Sequence, residues 1–339
     1  MLFRSHRSTA MTLKDLLSAG ADDAIAISAP GRHALDFKGL RELMARTTKA
    51  LNAAGIGRND RVAIVLPNGP EMASCFLACA SAVTSAPLNP AYRVEEFEFY
   101  LDDLKARALI VERASQSPAV PAARKLGIRV IELSVPEGAR AGEFVLDPGR
   151  SEPCDHGGYS GALDAAMILH TSGTTSKPKR VPLTVANLCA SARHIAQTLQ
   201  FTPADCGLNI MPLFHIHGLI AGLLAPLSAG SQVFCTPGFN ALRFFKWVDE
   251  AKPTWYTAVP TMHLTIATRA KHNAEVIKRH PLRFIRSSSS SIPPQLIAQI
   301  ERLFNAPLVE SYGMTEACHQ MAANPLPDRK STRLNSSHQ

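Results

Sequence analysis

His170-Thr-Ser-Gly-Thr-Thr-Ser-Lys-Pro-Lys179 follows without a break on the apolar run Ala166-Met-Ile-Leu169, and this junction decides how the chain reads. A short β-prone segment opens into ten residues with five hydroxyl side chains, one glycine and two lysines. Free backbone N–H groups, hydroxyl donors and ammonium charge are what phosphate oxygens need. The phosphate loop of ordinary NTPases, GxxxxGK[ST], does not fit, because counting from Gly173 puts its second glycine at Pro178. A Ser/Thr-rich surface turn would account for TSGTT alone. The Pro178-Lys179 that follows at a suitable distance weighs against it.

On both sides of this loop, short apolar or β-branched runs alternate with segments of helical spacing. Strands are expected at Arg61–Leu66, Ala108–Val111, Arg129–Leu133, Ala166–His170, Leu208–Met211, Gln232–Cys235, Thr254–Ala258, Leu282–Arg286 and Leu308–Tyr312. Leu40, Leu43, Met44, Thr47 and Leu51 recur at helical steps, as do Leu296, Ile297, Ile300 and Leu303 behind Pro293-Pro294. Such alternation predicts βαβ units, hence an α/β fold of two doubly wound subdomains with mainly parallel sheets. Ligands in such folds sit beyond the carboxyl ends of strands. Residues 134–163, rich in Pro, Gly and Ser, read as a surface connection between the subdomains. The core unit is expected over 13–327. Residues 1–12 read as an unstructured start, and 328–339 as a disordered or foreign tail.

Bulk properties narrow the class. The 339 residues are 46% hydrophobic, ample for a large core, and no apolar run reaches the roughly 18 residues of a membrane span. The charge of +8 arises from 36 Lys and Arg against 28 Asp and Glu, without runs, which makes nucleic acid the weaker of its uses. Seven scattered cysteines without a CxxC suit a reducing compartment. Cys75 and Cys79, four apart in a helical pattern, read as core, and Phe244, Phe245 and Trp247 as packing. His215 and His217 form an H-x-H, but no cysteine or acid lies nearby, so structural zinc is not expected. The run Ser287–Ser291 is wedged between the apolar LRFI and a proline-started helix, so it is expected to be an ordered strand-to-helix loop. Hydroxyls there would suit a second carboxylate and be left unpaired by a fatty tail.

Four segments in order carry a family resemblance: TSGTTSKPK at 171–179, Met211-Pro-Leu-Phe-His-Ile-His-Gly218, Arg286–Pro294, and Glu310-Ser-Tyr-Gly-Met-Thr-Glu316. Together they resemble the acyl-adenylate-forming superfamily of acyl-CoA synthetases, luciferases and adenylation domains, and within it the oxalate–CoA ligase branch. Ser176 fits that branch, and Arg180 departs from its usual glycine. The resemblance implies that Thr171, Ser172, Gly173, Thr174, Thr175 and Lys179 hold ATP phosphates. Tyr312 and Gly313 would lie at the adenine, Thr315 at the α-phosphate, and Glu316 would bind Mg²⁺. Lys179, Thr315 and Glu316 are the implied catalytic set. His215, Ser288, Ser289, Ser290 and His319 are expected to line the acid pocket, while His217 reads equally as a structural loop histidine. The implied activity is ATP-dependent ligation of a small dicarboxylate, oxalate foremost, to coenzyme A. The compartment implied is the cytoplasm, with the peroxisome as alternative. The family's small C-terminal domain and ribose-binding TGD segment are not found, so a nucleotide-binding fragment without turnover is the competing reading. A peptide-synthetase-type domain would need an amino-anchoring Asp that has no counterpart here.

Overall fold

The computed structural model describes residues 11–171 and 178–326. The strands, in chain order, begin with β1 (Ile25–Ser28), β2 (Leu35–Asp36), β3 (Arg61–Val65), β4 (Thr84–Pro87) and β5 (Ala108–Glu112). Next come β6 (Arg129–Ser134), β7 (Val145–Asp147), β8 (Ala165–Thr171), β9 (Lys179–Thr184) and β10 (Cys206–Asn209). The last are β11 (Gln232–Cys235), β12 (Trp255–Ala258), β13 (Phe284–Ser287), β14 (Leu308–Met314) and β15 (His319–Ala323). They form two sheets, ordered β15-β14-β13-β12-β10-β11-β1-β2 and β7-β6-β5-β3-β4-β8-β9. Each sheet is parallel inside and closed at both edges by an antiparallel strand. The expected α/β architecture holds, and each of the nine expected strands appears within about two residues of its place.

Six strands were not foreseen, each for a physical reason. β2 and β7 are only two and three residues long. β4 and β9 contain prolines, which a sequence reading demotes; Pro182 is tolerated because β9 is an edge. β1 is a short Ala/Ile run, and β15, His-Gln-Met-Ala-Ala, has no β-branched residue at all.

The expected connection between subdomains is corrected. Residues 135–164 leave β6 and return to β8 in the same sheet, forming β7 on the way. Phe144 and Leu146 are buried there, and the Gly142 carbonyl accepts from Ser74 Oγ at 2.6 Å. The apolar residues within a Pro/Gly-rich stretch hold it down as a strap.

The helix Phe37–Ala53 buries Leu40, Leu43, Met44, Thr47 and Leu51, the five positions its spacing selects. Helix Pro294–Phe304 starts at the expected proline pair and buries Leu296 and Ile300. Burying each such leucine or isoleucine contributes about 1.5–3 kcal/mol. Asn68, just past β3, joins the two sheets: its Oδ1 accepts the Leu213 N–H at 2.7 Å and its Nδ2 donates to the Thr236 carbonyl at 3.1 Å. At the opposite, amino end of the larger sheet, buried Asp205 accepts from Arg283 Nε and Nη2 at 3.0 Å each, and from Thr254 Oγ1 at 2.8 Å. One carboxylate thus anchors the starts of β10, β12 and β13.

Inside the same sheet, buried Tyr256 lies 3.2 Å from His263 Nδ1, and His263 Nε2 donates to the Arg286 carbonyl at 3.3 Å. Burial drives His263 from its ordinary 6.5 down to about 4. The unfolded chain therefore takes up a proton that the folded chain refuses. Stability from this group falls as pH drops from about 6.5 toward 4, by roughly 3 kcal/mol, and levels off below. Denaturant titrations at pH 7 and pH 4.5 should show this loss, and His263→Gln should shrink it. An undiminished pH difference in the variant would assign the loss to other groups.

Candidate functional site

β8 and β9 form the hairpin that carries the Thr171–Lys179 motif. Thr171 at the end of β8 pairs directly with Lys179 at the start of β9, and His170 with Arg180. Ser172, Gly173, Thr174 and Thr175 lie outside the described residues. Below the hairpin mouth sits Asp103, in helix Val94–Leu104. Its Oδ2 is 3.0 Å from His170 Nε2 and 3.2 Å from Arg180 Nε, while Arg180 Nη1 donates to the Asp103 carbonyl at 2.8 Å. Burial lowers His170 more than Asp103 raises it, so the ring is neutral at pH 7 and donates from Nε2. Arg180, standing where the resembling family has glycine, closes the hairpin on Asp103.

The second motif occupies the β14–β15 hairpin at the edge of the larger sheet. Tyr312 is 66% exposed and presents its ring to solvent. A Cβ at Gly313 would run into the His319 carbonyl, so only glycine lets β15 close on β14 here. Thr315 and Glu316 lie in the short 3₁₀ turn Thr315–Ala317. Glu316 is exposed, and among the described residues its carboxylate has no ion-pair partner. Among the described residues no three His, Cys, Asp or Glu converge as a metal site. A single free carboxylate suits Mg²⁺, which is held by one or two carboxylates with phosphate oxygens completing the shell. Cys318 and His319 both adopt left-handed backbone, at φ +54° and +93°. The Cys318 carbonyl accepts from Ser191 Oγ at 2.5 Å.

Ser191 belongs to helix Val185–Thr198, whose cap is Thr184, the last residue of β9. Thr184 Oγ1 accepts from the Asn187 N–H at 3.2 Å, and the Asn187 side chain returns to the Thr184 N–H at 3.0 Å. One helix therefore fixes the phosphate hairpin and the Tyr312–Glu316 hairpin to each other.

The polar centre between them is Arg286, on β13 and fully buried. Among the described residues no carboxylate meets it. Nη1 lies 3.1 Å from His217 Nε2 and 3.4 Å from Thr257 Oγ1; Nη2 lies 3.1 Å from His319 Nε2 and 3.3 Å from Gln320 Oε1. Burial lowers the guanidinium to about 9, so it stays protonated at neutral pH. Burial, and then the Arg286 charge, hold His217 and His319 well below the usual histidine range, so both rings are neutral. The rings stack, 5.0 Å between centroids. His217 opens a π-helical stretch, His217–Leu224, in which the Ala225 N–H reaches back five residues to Ile220.

The serine loop divides by function. Ser288 is buried and donates to the Ser311 carbonyl at 3.0 Å, tying β13 to β14. Ser289 is exposed, sits at φ +77°, and places Oγ 3.0 Å from His217 Nδ1. Ser290 is exposed beside it. His215 is exposed, its ring 4.6 Å from that of Phe214. His217, Ser289 and His319 are thus brought together, while Ser288 is committed to the backbone. The sequence reading missed Arg286 as a functional group. Its signal was present: a lone arginine within Phe284–Ser287, a central strand buried at every position.

A separate cavity of about 330 Å³ opens near the carboxyl ends of β3, β5 and β11, lined by Asn68, Glu71, Glu112, Cys235 and Arg243 among others. None of the motif residues lines it, so convergent polar groups rather than open volume locate the chemistry. No helix among the described residues is long and apolar enough to cross a membrane.

The family described as AMP-binding enzyme matches residues 18–337. Oxalate–CoA ligase of Arabidopsis thaliana is 40% identical over 314 residues, covering 90% of this chain and 60% of that protein. Oxalate–CoA ligase of Saccharomyces cerevisiae is 37% identical over 297 residues, covering 80% and 54%. ATP-bound MatB from Rhodopseudomonas palustris superposes with a TM-score of 0.79 at 26% identity, over 93% of this chain and 62% of that one. The chain spans little more than half the length of the relatives it matches. With that match across nearly its whole length, the chain belongs to the AMP-binding enzyme family.

Proposed function

We propose that this chain is the nucleotide- and acid-binding body of an ATP-dependent oxalate–CoA ligase. The observation that carries the reading is the polar centre of His217, Ser289, Arg286 and His319, set against the hairpin that bears Tyr312, Thr315 and Glu316. A buried positive charge among neutral imidazoles and a hydroxyl favours a second carboxylate and disfavours an acyl tail.

In this reading Thr171, Lys179 and Ser172–Thr175 hold the β- and γ-phosphates, and Tyr312 with Gly313 hold the adenine. Thr315 donates to the α-phosphate. One oxalate oxygen attacks the α-phosphorus, the bond to the pyrophosphate oxygen breaks, and oxalyl-adenylate forms. The thiolate of coenzyme A then attacks the acyl carbon, and AMP leaves with the electron pair. Negative charge builds on non-bridging oxygens in both steps, so fixed donors supply most of the help. Glu316 would hold Mg²⁺ together with phosphate oxygens, and the ion would supply neutralisation of phosphate charge. Glu316→Gln should raise the Mg²⁺ concentration needed for pyrophosphate exchange about tenfold or more. A titration that overlays the parent's would make Glu316 structural.

Substrate choice is the sharper test. In the full-length enzyme, oxalate should exceed acetate, malonate and octanoate in kcat/KM for AMP formation. Ser289→Ala and His319→Ala should each lower that value for oxalate by roughly tenfold, the loss of one charge-assisted hydrogen bond, with ATP affinity nearly intact. Octanoate ahead of oxalate would refute the substrate and leave adenylation standing.

A further inference from the structure

The residue around which the acid pocket is organised is Arg286, and its role follows from what a guanidinium can and cannot do. A guanidinium carries donors only, with no acceptor. Any imidazole nitrogen 3.1 Å from it must therefore be the unprotonated one, since two N–H groups cannot face each other across that gap. This holds for His217 Nε2 at Nη1 and for His319 Nε2 at Nη2. Thr257 Oγ1, 2.6 Å from the same His217 nitrogen, can donate or accept, and leaves the choice to the guanidinium. Both rings are neutral, so each carries its single proton on Nδ1.

The consequence reaches the pocket through Ser289. His217 Nδ1–H donates to Ser289 Oγ at 3.0 Å, which occupies a lone pair of the hydroxyl and frees its own proton for a ligand. Ser289 is held in left-handed backbone at φ +77°, a conformation that a non-glycine residue keeps only where its surroundings impose it. His319, at φ +93° and tethered through Cys318 to Ser191, turns its Nδ1–H away from Arg286. The arginine itself is pinned from behind, its carbonyl accepting from His263.

We propose that Arg286 is a positioning residue that fixes His217 and His319 in the Nδ1–H tautomer, so that His319 faces the pocket as a donor only and Ser289 is turned to offer its hydroxyl proton. A pocket of donors selects a ligand group that only accepts, which is an ionised carboxylate. It rejects an amide, whose N–H would meet N–H and O–H without a partner. This deepens the oxalate reading and rests on it for the identity of the ligand.

The test needs only binding by this chain. With ¹⁵N-histidine labelling and His217→Asn and His319→Asn for assignment, both rings should show a protonated Nδ1 and a bare Nε2. Oxalate should bind more tightly than oxamate, its monoamide, by about tenfold or more, the value of one mismatched buried hydrogen bond. Arg286→Met should leave mixed tautomers and bring the two ligands to within about threefold. Arg286→Lys keeps the charge but has a single head, so it should hold one ring and not both. That variant serves if the methionine one fails to fold, and the wild-type spectrum alone decides the tautomers. A wild-type Nε2–H ring, or oxamate binding as well as oxalate, would overturn the proposal while sparing an oxalate preference. Nδ1–H rings with octanoate binding best would instead overturn the oxalate reading.

Discussion

A guanidinium sealed from water, with no carboxylate among the described residues to meet it, is the constraint on which the carboxyl end of the larger sheet depends. Removing a cation from water costs several kcal/mol unless its donors find acceptors. Arg286 finds them on three separate segments: Thr257 on β12, His217 at the start of the π-helical stretch, and His319 with Gln320 on β15. Its Nε stays unpartnered among the described residues. Each acceptor must be neutral and correctly turned, so the demand of one charge fixes the protonation and orientation of its neighbours. The strand order β15-β14-β13-β12 is what lets that demand be met. Hydrophobic burial builds the sheet, and the arginine makes its carboxyl end specific.

The second dependence is mechanical. The Thr171–Lys179 segment and the Tyr312–Glu316 motif lie on edge hairpins of different sheets, β8–β9 and β14–β15, and nothing in sheet pairing relates one edge to the other. Helix Val185–Thr198 does so, capped by the last residue of β9 and holding the Cys318 carbonyl and the Gln320 side chain along its length. Arg180 on Asp103 secures the first hairpin from the opposite side. The two hairpins are thus held at a fixed separation by helix geometry.

Most of the fold was legible because buried parallel strands leave compact apolar runs and amphipathic helices leave a three-to-four residue rhythm. What escaped were the four edge strands β2, β7, β9 and β15, which are polar, short or proline-containing because one side has no partner to satisfy, and two four-residue interior strands, β1 and the proline-ended β4. The strap at 135–164 escaped because Pro and Gly outnumber the few apolar residues that anchor it. Of the site, the motif residues were legible by resemblance, and the hydroxyl character of Ser287–Ser291 by composition. The split between buried Ser288 and exposed Ser289 was not, since it depends on a left-handed turn at a single residue. Arg286 was overlooked because its partners lie 29 to 69 residues away, beyond any local pattern.

The interleaving of the two sheets also sets an order of events as the chain emerges from the ribosome. All seven strands of the smaller sheet, β3 to β9, are consecutive, so that sheet can pair as soon as it is made. β1 cannot. It lies between β2 and β11, and Gln232, whose side chain bonds Ser28, is 204 residues downstream. At roughly 5–20 residues per second, one apolar flank of β1 waits for on the order of ten seconds or more. During that interval Ala26 and Ile27, wholly buried in the finished molecule, have only a two-residue hairpin partner beside them. The first strand to be synthesised in the larger sheet is the one that waits longest for its second neighbour, and it needs shelter throughout that interval.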